Sequence, residues 1–222
     1  MIEFAIQGKT IEMVSYSDDA TLAELRSELD AFRDRPGLKT ATCAGCGECC
    51  YYETLPVLGY DLESIRGFLN VDDSSLFANY LELPEQPSAQ QRTKSIDEMI
   101  RDHKFESTTA SLLYEYNQAE PIKLRKNPHG SCMFLEDDLC AIYQARLYTC
   151  GLYVCNMADR LSVLQEQIVR QGIWHSYHVL GWIDADLIGH NPFLHASGYG
   201  EVLIKDFDFD LSEAIEKLFF YF

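Results

Sequence analysis

The sequence predicts an α+β protein, mainly α-helical, with a small N-terminal β-hairpin and irregular cysteine-rich loops at its centre. Three observations carry this expectation. Apolar and polar residues alternate near the N-terminus, the period of a strand with one buried face. Further on, apolar residues recur at helical spacing behind helix-starting side chains. Eight cysteines then fall into two groups set among glycine and turn residues.

In residues 2–16, Ile2, Phe4 and Ile6 alternate with polar neighbours, Gln7-Gly8-Lys9 supplies a turn, and Ile11 to Val14 returns. Thr21-Leu22-Ala23-Glu24 is a capping box. With Leu22, Leu25, Leu29 and Phe32 on one face, it predicts an amphipathic helix over 21–34 that Arg35-Pro36-Gly37 ends. The first cysteine run falls on a loop, where Gly45 and Gly47 allow sharp turns around an ion.

Asp61 is read as the cap of a helix over 62–69, and Asp72 or Asp73 as the cap of another through Leu81. Residues 82–94 read as a surface connection, and Ile122 to Arg125 as a short strand that Asn127-Pro128-His129-Gly130 turns into Cys132. Met157, Leu161, Leu164 and Ile168 predict a long helix beyond Cys155 to about Gln171, with 173–182 as a further helical stretch. Asp206 to Asp210 alternates with phenylalanine like a half-buried strand, and Asp210-Leu211-Ser212-Glu213 caps a C-terminal helix. The organisation expected is an accessory hairpin and helix over 1–36, a cysteine-cluster metal-binding domain over 37–185, and a C-terminal extension over 186–222 packed on it.

Charge narrows the function. With 35 Asp and Glu against 18 Lys and Arg, the formal net charge is -17, which repels nucleic-acid phosphates and anionic membrane surfaces. No apolar run approaches a membrane span, and Met1 to Ala5 lacks a secretory leader's basic and apolar segments, so the expected setting is cytoplasmic. A cytoplasmic chain of 222 residues, 47% hydrophobic, buries a core without disulfides. The cysteines are therefore read as metal ligands rather than as a disulfide framework.

Cys43, Cys46, Cys49 and Cys50 stand within eight residues, and Cys132, Cys140, Cys150 and Cys155 follow. Thiolates at Cys-x-x-Cys spacing bind zinc or iron–sulfur clusters. The first three have the spacing by which ferredoxin-type loops wrap a cubane. Cys49 and Cys50 are adjacent and point to opposite sides of an extended backbone. The working partition gives Cys43, Cys46 and Cys49 to one centre with a remote fourth cysteine, and Cys50 with members of the second group to another. Cys155 is either an eighth ligand or a buried thiol. Thiolate centres carry negative charge, and Lys123, Arg125 and Lys126 before the second group, with Arg146 inside it, supply local positive charge. Arg146, inside the second group, is the residue expected to offset thiolate charge or hydrogen-bond sulfur.

These motifs resemble the cysteine-cluster, YkgJ-like family named for Cys-x2-Cys-x2-Cys-Cys, a zinc- or iron-chelating domain. Its second half is similar to Cys132-Met133-Phe134-Leu135 followed by Cys140-Ala141-Ile142-Tyr143-Gln144-Ala145-Arg146-Leu147-Tyr148-Thr149-Cys150, so the resemblance covers about residues 40–155. Leu147 stands where the family has proline, and Gly151 where it has arginine. The resemblance extends to the cysteine domain of flagellin lysine N-methylases and so implies a methylation theme.

Other groups carry weaker signals. His175 and His178 lie three apart on one helix face, suited to a shared metal or to a polar or core-lining face. His129 precedes Cys132 and is either a donor to the site or a surface histidine. Asp206, Asp208 and Asp210 suit a hard cation or a solvated edge. Gly198-Tyr199-Gly200 is an incomplete nucleotide-type motif, and Gly-x-Ser-x-Gly is absent. The favoured function is a [4Fe-4S] protein for electron transfer, redox sensing or assisting protein modification, with a protein substrate or redox partner. A structural zinc-binding interaction protein is one alternative. A lysine N-methyltransferase-like enzyme using S-adenosylmethionine is the other.

Overall fold

The computed structural model describes residues 1–7, 10–33, 50–51, 55–85, 89–103, 120–152, 159–188 and 191–207. The turn at Gly8-Lys9, the helix stop at 35–37, Cys43 to Cys49, Cys155 and the segment 208–222 lie outside them.

The alternating N-terminal pattern forms two antiparallel strands, β1 (Ile2–Gln7) and β2 (Thr10–Tyr16), in a register that pairs Ile6 with Ile11 and Gln7 with Thr10. Ile2, Ile11 and Met13 are buried, whereas Ile6 and Val14 face solvent. Helix α1 (Leu22–Arg33) starts at the capping box: Thr21 N donates to Glu24 Oε2 at 2.9 Å, and Glu24 N to Thr21 Oγ1 at 3.2 Å. Two more of its first-turn amides, on Leu22 and Ala23, donate to the carbonyls of Val202 and Tyr199.

Helix α2 (Gly59–Leu69) begins three residues before the expected start. Asp61 is not its N-cap; it sits in the first turn and reaches back to accept from Leu58 N at 3.1 Å. Helix α3 (Asp73–Asn79) is capped by Asp72, whose Oδ1 accepts from Ser75 N at 2.7 Å. It stops before Leu81, because Leu81–Glu82 (β3) pairs antiparallel with Lys123–Leu124 (β4) and buries both leucines.

Residues 89–94, read as part of a connection, open helix α4 (Ala89–His103). No proline or glycine interrupts that span, and its polar composition hid the helical period. Leu135–Glu136 (β5) and Leu139–Cys140 (β6) form a minimal hairpin. Asp137 and Asp138 form its two-residue turn with φ of 47° and 63°, a left-handed pair that aspartate tolerates.

Helix α5 (Tyr148–Leu152) is one turn long, and α6 (Asp159–Val179) joins the two helical stretches expected on either side of Gly172. A Cβ at Gly172 would stand 2.8 Å from the Leu58 methyls, so glycine lets α2 approach α6 closely there. Asp206 and Phe207, the described part of the strand expected over 206–210, instead close a 3-10 turn over Ile204–Phe207. The reason is burial at i and i+3: Ile204 and Phe207 both enter the core, which a three-residue repeat allows and a strand does not.

Two compact units result, residues 1–83 with 121–207 and residues 84–120 with 208–222, α4 belonging to the second. The first contains two apolar clusters. The larger joins the inner face of β1–β2, α1, the Leu161–Ile168 face of α6, Tyr148, Phe193 and Phe207. The smaller gathers Val57, Leu62, Ile65, Leu76, Leu81, Ile122, Leu124, Phe134, Ile142 and Leu147. Among the described residues no helix is long and apolar enough to cross a membrane.

Candidate metal centre

The second cysteine group lies along the smaller cluster. Cys132, Cys140 and Cys150 are each partly buried and pack against it. Cys132 is held by Asn127, whose Oδ1 accepts from His129 N and Ser131 N, while Gly130 takes the positive φ of 87° that closes the turn. Lys126 then bridges to Cys132. Cys140 pairs with Leu135 across the β5–β6 hairpin, and Leu135 N donates to the Cys132 carbonyl at 3.0 Å.

The end of the first run meets this group directly. Cys132 N donates to the carbonyl of Cys50 at 2.7 Å. Next door, the Tyr51 hydroxyl donates to Asp138 Oδ1 at 2.6 Å, in the turn before Cys140. That bond and the Asp138 charge raise the Tyr51 pKa. Cys50 and Tyr51 are helical rather than loop. Cys50 and Cys132, far apart in sequence, are thus tied at backbone level, which spacing alone does not reveal.

Cys150 rides on α5, and nearly every residue around it is anchored. Tyr148 N donates to Asp61 Oδ1 at 3.0 Å and Tyr148 OH to the Leu22 carbonyl at 2.7 Å. Thr149 Oγ1 donates to the Pro56 carbonyl at 2.8 Å. Leu147 is buried in the smaller cluster. At Gly151 a Cβ would stand within 3.0 Å of Arg26 Cγ, Nε and Cδ. Arg26 of α1 occupies the space beside Gly151.

Asp61 is the polar hub beneath this segment. It is 3% exposed and accepts from Leu58 N, Tyr148 N and Tyr199 OH, the last at 3.0 Å. Burial pushes its pKa up to about 6, against the pull of those hydrogen bonds and of Arg26. Burial also raises Tyr148 and Tyr199, whose rings stack 4.1 Å apart beside it. The Gly198-Tyr199-Gly200 turn is therefore spent on packing.

Arg146 is buried, with its guanidinium on both oxygens of Asp30 and 4.5 Å above the Tyr143 ring. Burial works against its charge, but Asp30, Tyr143 and Cys150 outweigh it and raise the pKa. Arg125 and Lys126 run antiparallel to the chain around Cys132 and are exposed, whereas Lys123 pairs with Glu82 and Pro56. His129 is exposed.

His175 and His178 occupy different environments. His175 is 5% exposed, packed on Tyr60 and Phe193 with Nδ1 over Gly59, and burial lowers its pKa to about 4. His178 Nδ1 lies 3.3 Å from the Ile183 carbonyl. Asp206 is exposed on its 3-10 turn, apart from any acidic ladder among the described residues.

Asp30, Arg26, Tyr148 and Tyr199 were not legible as site residues. The available signal was an i, i+4 series of Leu22, Arg26 and Asp30 on one stripe of α1. Among the described residues no three histidine, cysteine or acidic side chains group to hold an ion. The donor set fits a soft-metal centre in its chemistry: thiols, partly buried, against an apolar wall with a buried guanidinium nearby. No curated protein and no solved structure matches the chain. A family model does match, over residues 42–168, a span that holds all eight cysteines. The chain belongs to the CxxCxxCC family, described as "Putative zinc- or iron-chelating domain".

Proposed function

We propose that this chain holds a [4Fe-4S] cluster and works in electron transfer, redox sensing or assistance to a protein modification. Cys43, Cys46 and Cys49 supply three ligands and a cysteine of the second group the fourth, with Cys50 and the remaining thiols, Cys155 included, available to another centre. The observation that carries the reading is the Cys132 N to Cys50 carbonyl bond, which joins the end of the first run to the second group. A cubane with four thiolates has a net charge of about -2 by ligand counting. Arg146 and the 123–126 segment offset that charge. A reducing, cytoplasmic setting keeps such thiols available, and the partner is a protein substrate or redox protein.

The second reading is structural zinc. It is favoured by the chain from Ile122 to Ala141, whose strands are only two residues long and give it little regular structure of its own. Methylation through S-adenosylmethionine is the third, and it predicts a rise in melting temperature with that ligand.

Absorption and metal content of protein purified without oxygen separate the first two. A brown protein with iron and acid-labile sulfide near about four per chain supports the cubane. A colourless protein with zinc replaces it with the structural reading. A chain with neither metal removes both.

A further inference from the structure

Leu22, Arg26 and Asp30 stand at intervals of four along α1 and so form one stripe. Each meets the segment that carries Cys150. The Leu22 carbonyl accepts from Tyr148 OH, Arg26 lies across Gly151, and Asp30 holds Arg146. The contacts therefore bracket Cys150 on both sides in sequence. A helix outside residues 42–168, the span of the family match, thereby contacts the mount of a cysteine inside it.

Two properties set these contacts apart from ordinary packing. The Asp30–Arg146 pair is buried on the arginine side, where rupture leaves an unpaired charge. Arg26 brings a second positive charge beside Gly151, the residue next to Cys150, through a glycine that leaves room for it.

We propose that α1 is the positioning element of the metal centre: Asp30, acting through Arg146, and Arg26, acting across Gly151, hold the Cys150 sulfur in its ligating place. The inference rests on the metal-centre reading above and holds for either metal. Outer residues that orient ligands typically change metal affinity by about 10–100-fold.

The test uses the full chain, purified without oxygen, as wild type and as Arg26→Gln, Arg26→Lys, Asp30→Asn and Glu28→Gln. Iron and zinc per chain are measured first, then the half-time of metal release to EDTA. Arg26→Gln and Asp30→Asn are expected to release metal at least about 10-fold faster. Arg26→Lys keeps a long side-chain stem over Gly151 and stays close to wild type, and Glu28→Gln, exposed on the same helix, matches it. Hydrogen exchange supplies the second readout: Asp30→Asn speeds exchange over residues 148–152 and leaves 164–168 of α6 unchanged.

Wild-type release rates in Arg26→Gln and Asp30→Asn overturn the inference and leave the metal centre standing. Equal acceleration of exchange in both segments also overturns it, because α1 is then a general support of the fold. A wild-type chain without iron or zinc removes the metal-centre reading itself, a different failure.

Discussion

The two apolar clusters of the first unit are built in opposite ways. The larger draws chiefly on the β1–β2 hairpin and two regular helices, α1 and α6, whose buried residues follow strand or helix periodicity. The smaller sets Leu62 and Ile65 of α2 and Leu76 of α3 against two-residue strands and turns, whose order comes from contacts between distant parts of the chain, such as Val57 N on the Ile122 carbonyl. The first region is held by local regularity. The second depends on tertiary bonds, and the cysteines lie along it. A region poor in local order gains most from a metal that ties it together.

Metal removal is the largest test of that contrast. Stripping the protein anaerobically is expected to speed hydrogen exchange by orders of magnitude over residues 122–150 while 161–168 of α6 change little, since ligand binding free energy is shared with the region it orders. Equal change in both segments would make the clusters one cooperative body.

Asp61→Ala comes next, because it strips the acceptor from Leu58 N, Tyr148 N and Tyr199 OH at once. Each buried donor left unpaired costs about 1–3 kcal/mol, so a loss of about 4 kcal/mol is expected in urea unfolding. Ile65→Ala and Ile168→Ala, fully buried in the smaller and larger clusters, should each cost about 3 kcal/mol. Of the two, only Ile65→Ala is expected to shorten metal retention. Gly59→Ala puts a methyl 2.2 Å from the imidazole of His175 and should cost about 2 kcal/mol, read as a lowered melting temperature.

The smallest effect is on pH dependence, where Asp61 and His175 oppose each other. Asp61 titrates at about 6 in the fold against 3.8 ordinarily, so its favourable contribution is complete below about 4 and lost as pH rises through 6. His175 titrates at about 4 against 6.5, so the unfolded chain takes up its proton first, and stability falls as pH drops from 6.5 to 4. Between pH 7 and 4 the two trends offset. Relative to wild type, Asp61→Asn should therefore lose melting temperature as pH falls, and His175→Gln should gain it. Parallel melting curves for either variant and wild type would assign the burial of that group no role in pH dependence.

The same contrast explains what was readable beforehand. The capping box at Thr21 and the leucines of α1 are local signals, and the helix follows them almost to the residue. Asp61 carried a misleading local signal, since an aspartate before apolar residues resembles an N-cap. Its carboxylate instead serves Tyr148, 87 residues away, and α2 starts earlier as a result. Leu81 was read into α3 for its apolar character, but pairing with Leu124 decided otherwise. The paired histidines show the limit most plainly: three residues apart on one helix, one enters an aromatic core and the other lies beside a loop carbonyl.

By itself the sequence determined the class of protein, the hairpin, the first helix and the soft-metal character of its cysteines, because periodicity, capping and thiol chemistry act within a few residues. Tertiary structure alone decided that Cys50 meets Cys132, that Asp61 lies under α5 and that Arg26 and Asp30 reach the Cys150 segment. Those pairings depend on burial and on hydrogen bonds between residues far apart in sequence, whose partners exist only once the chain has packed.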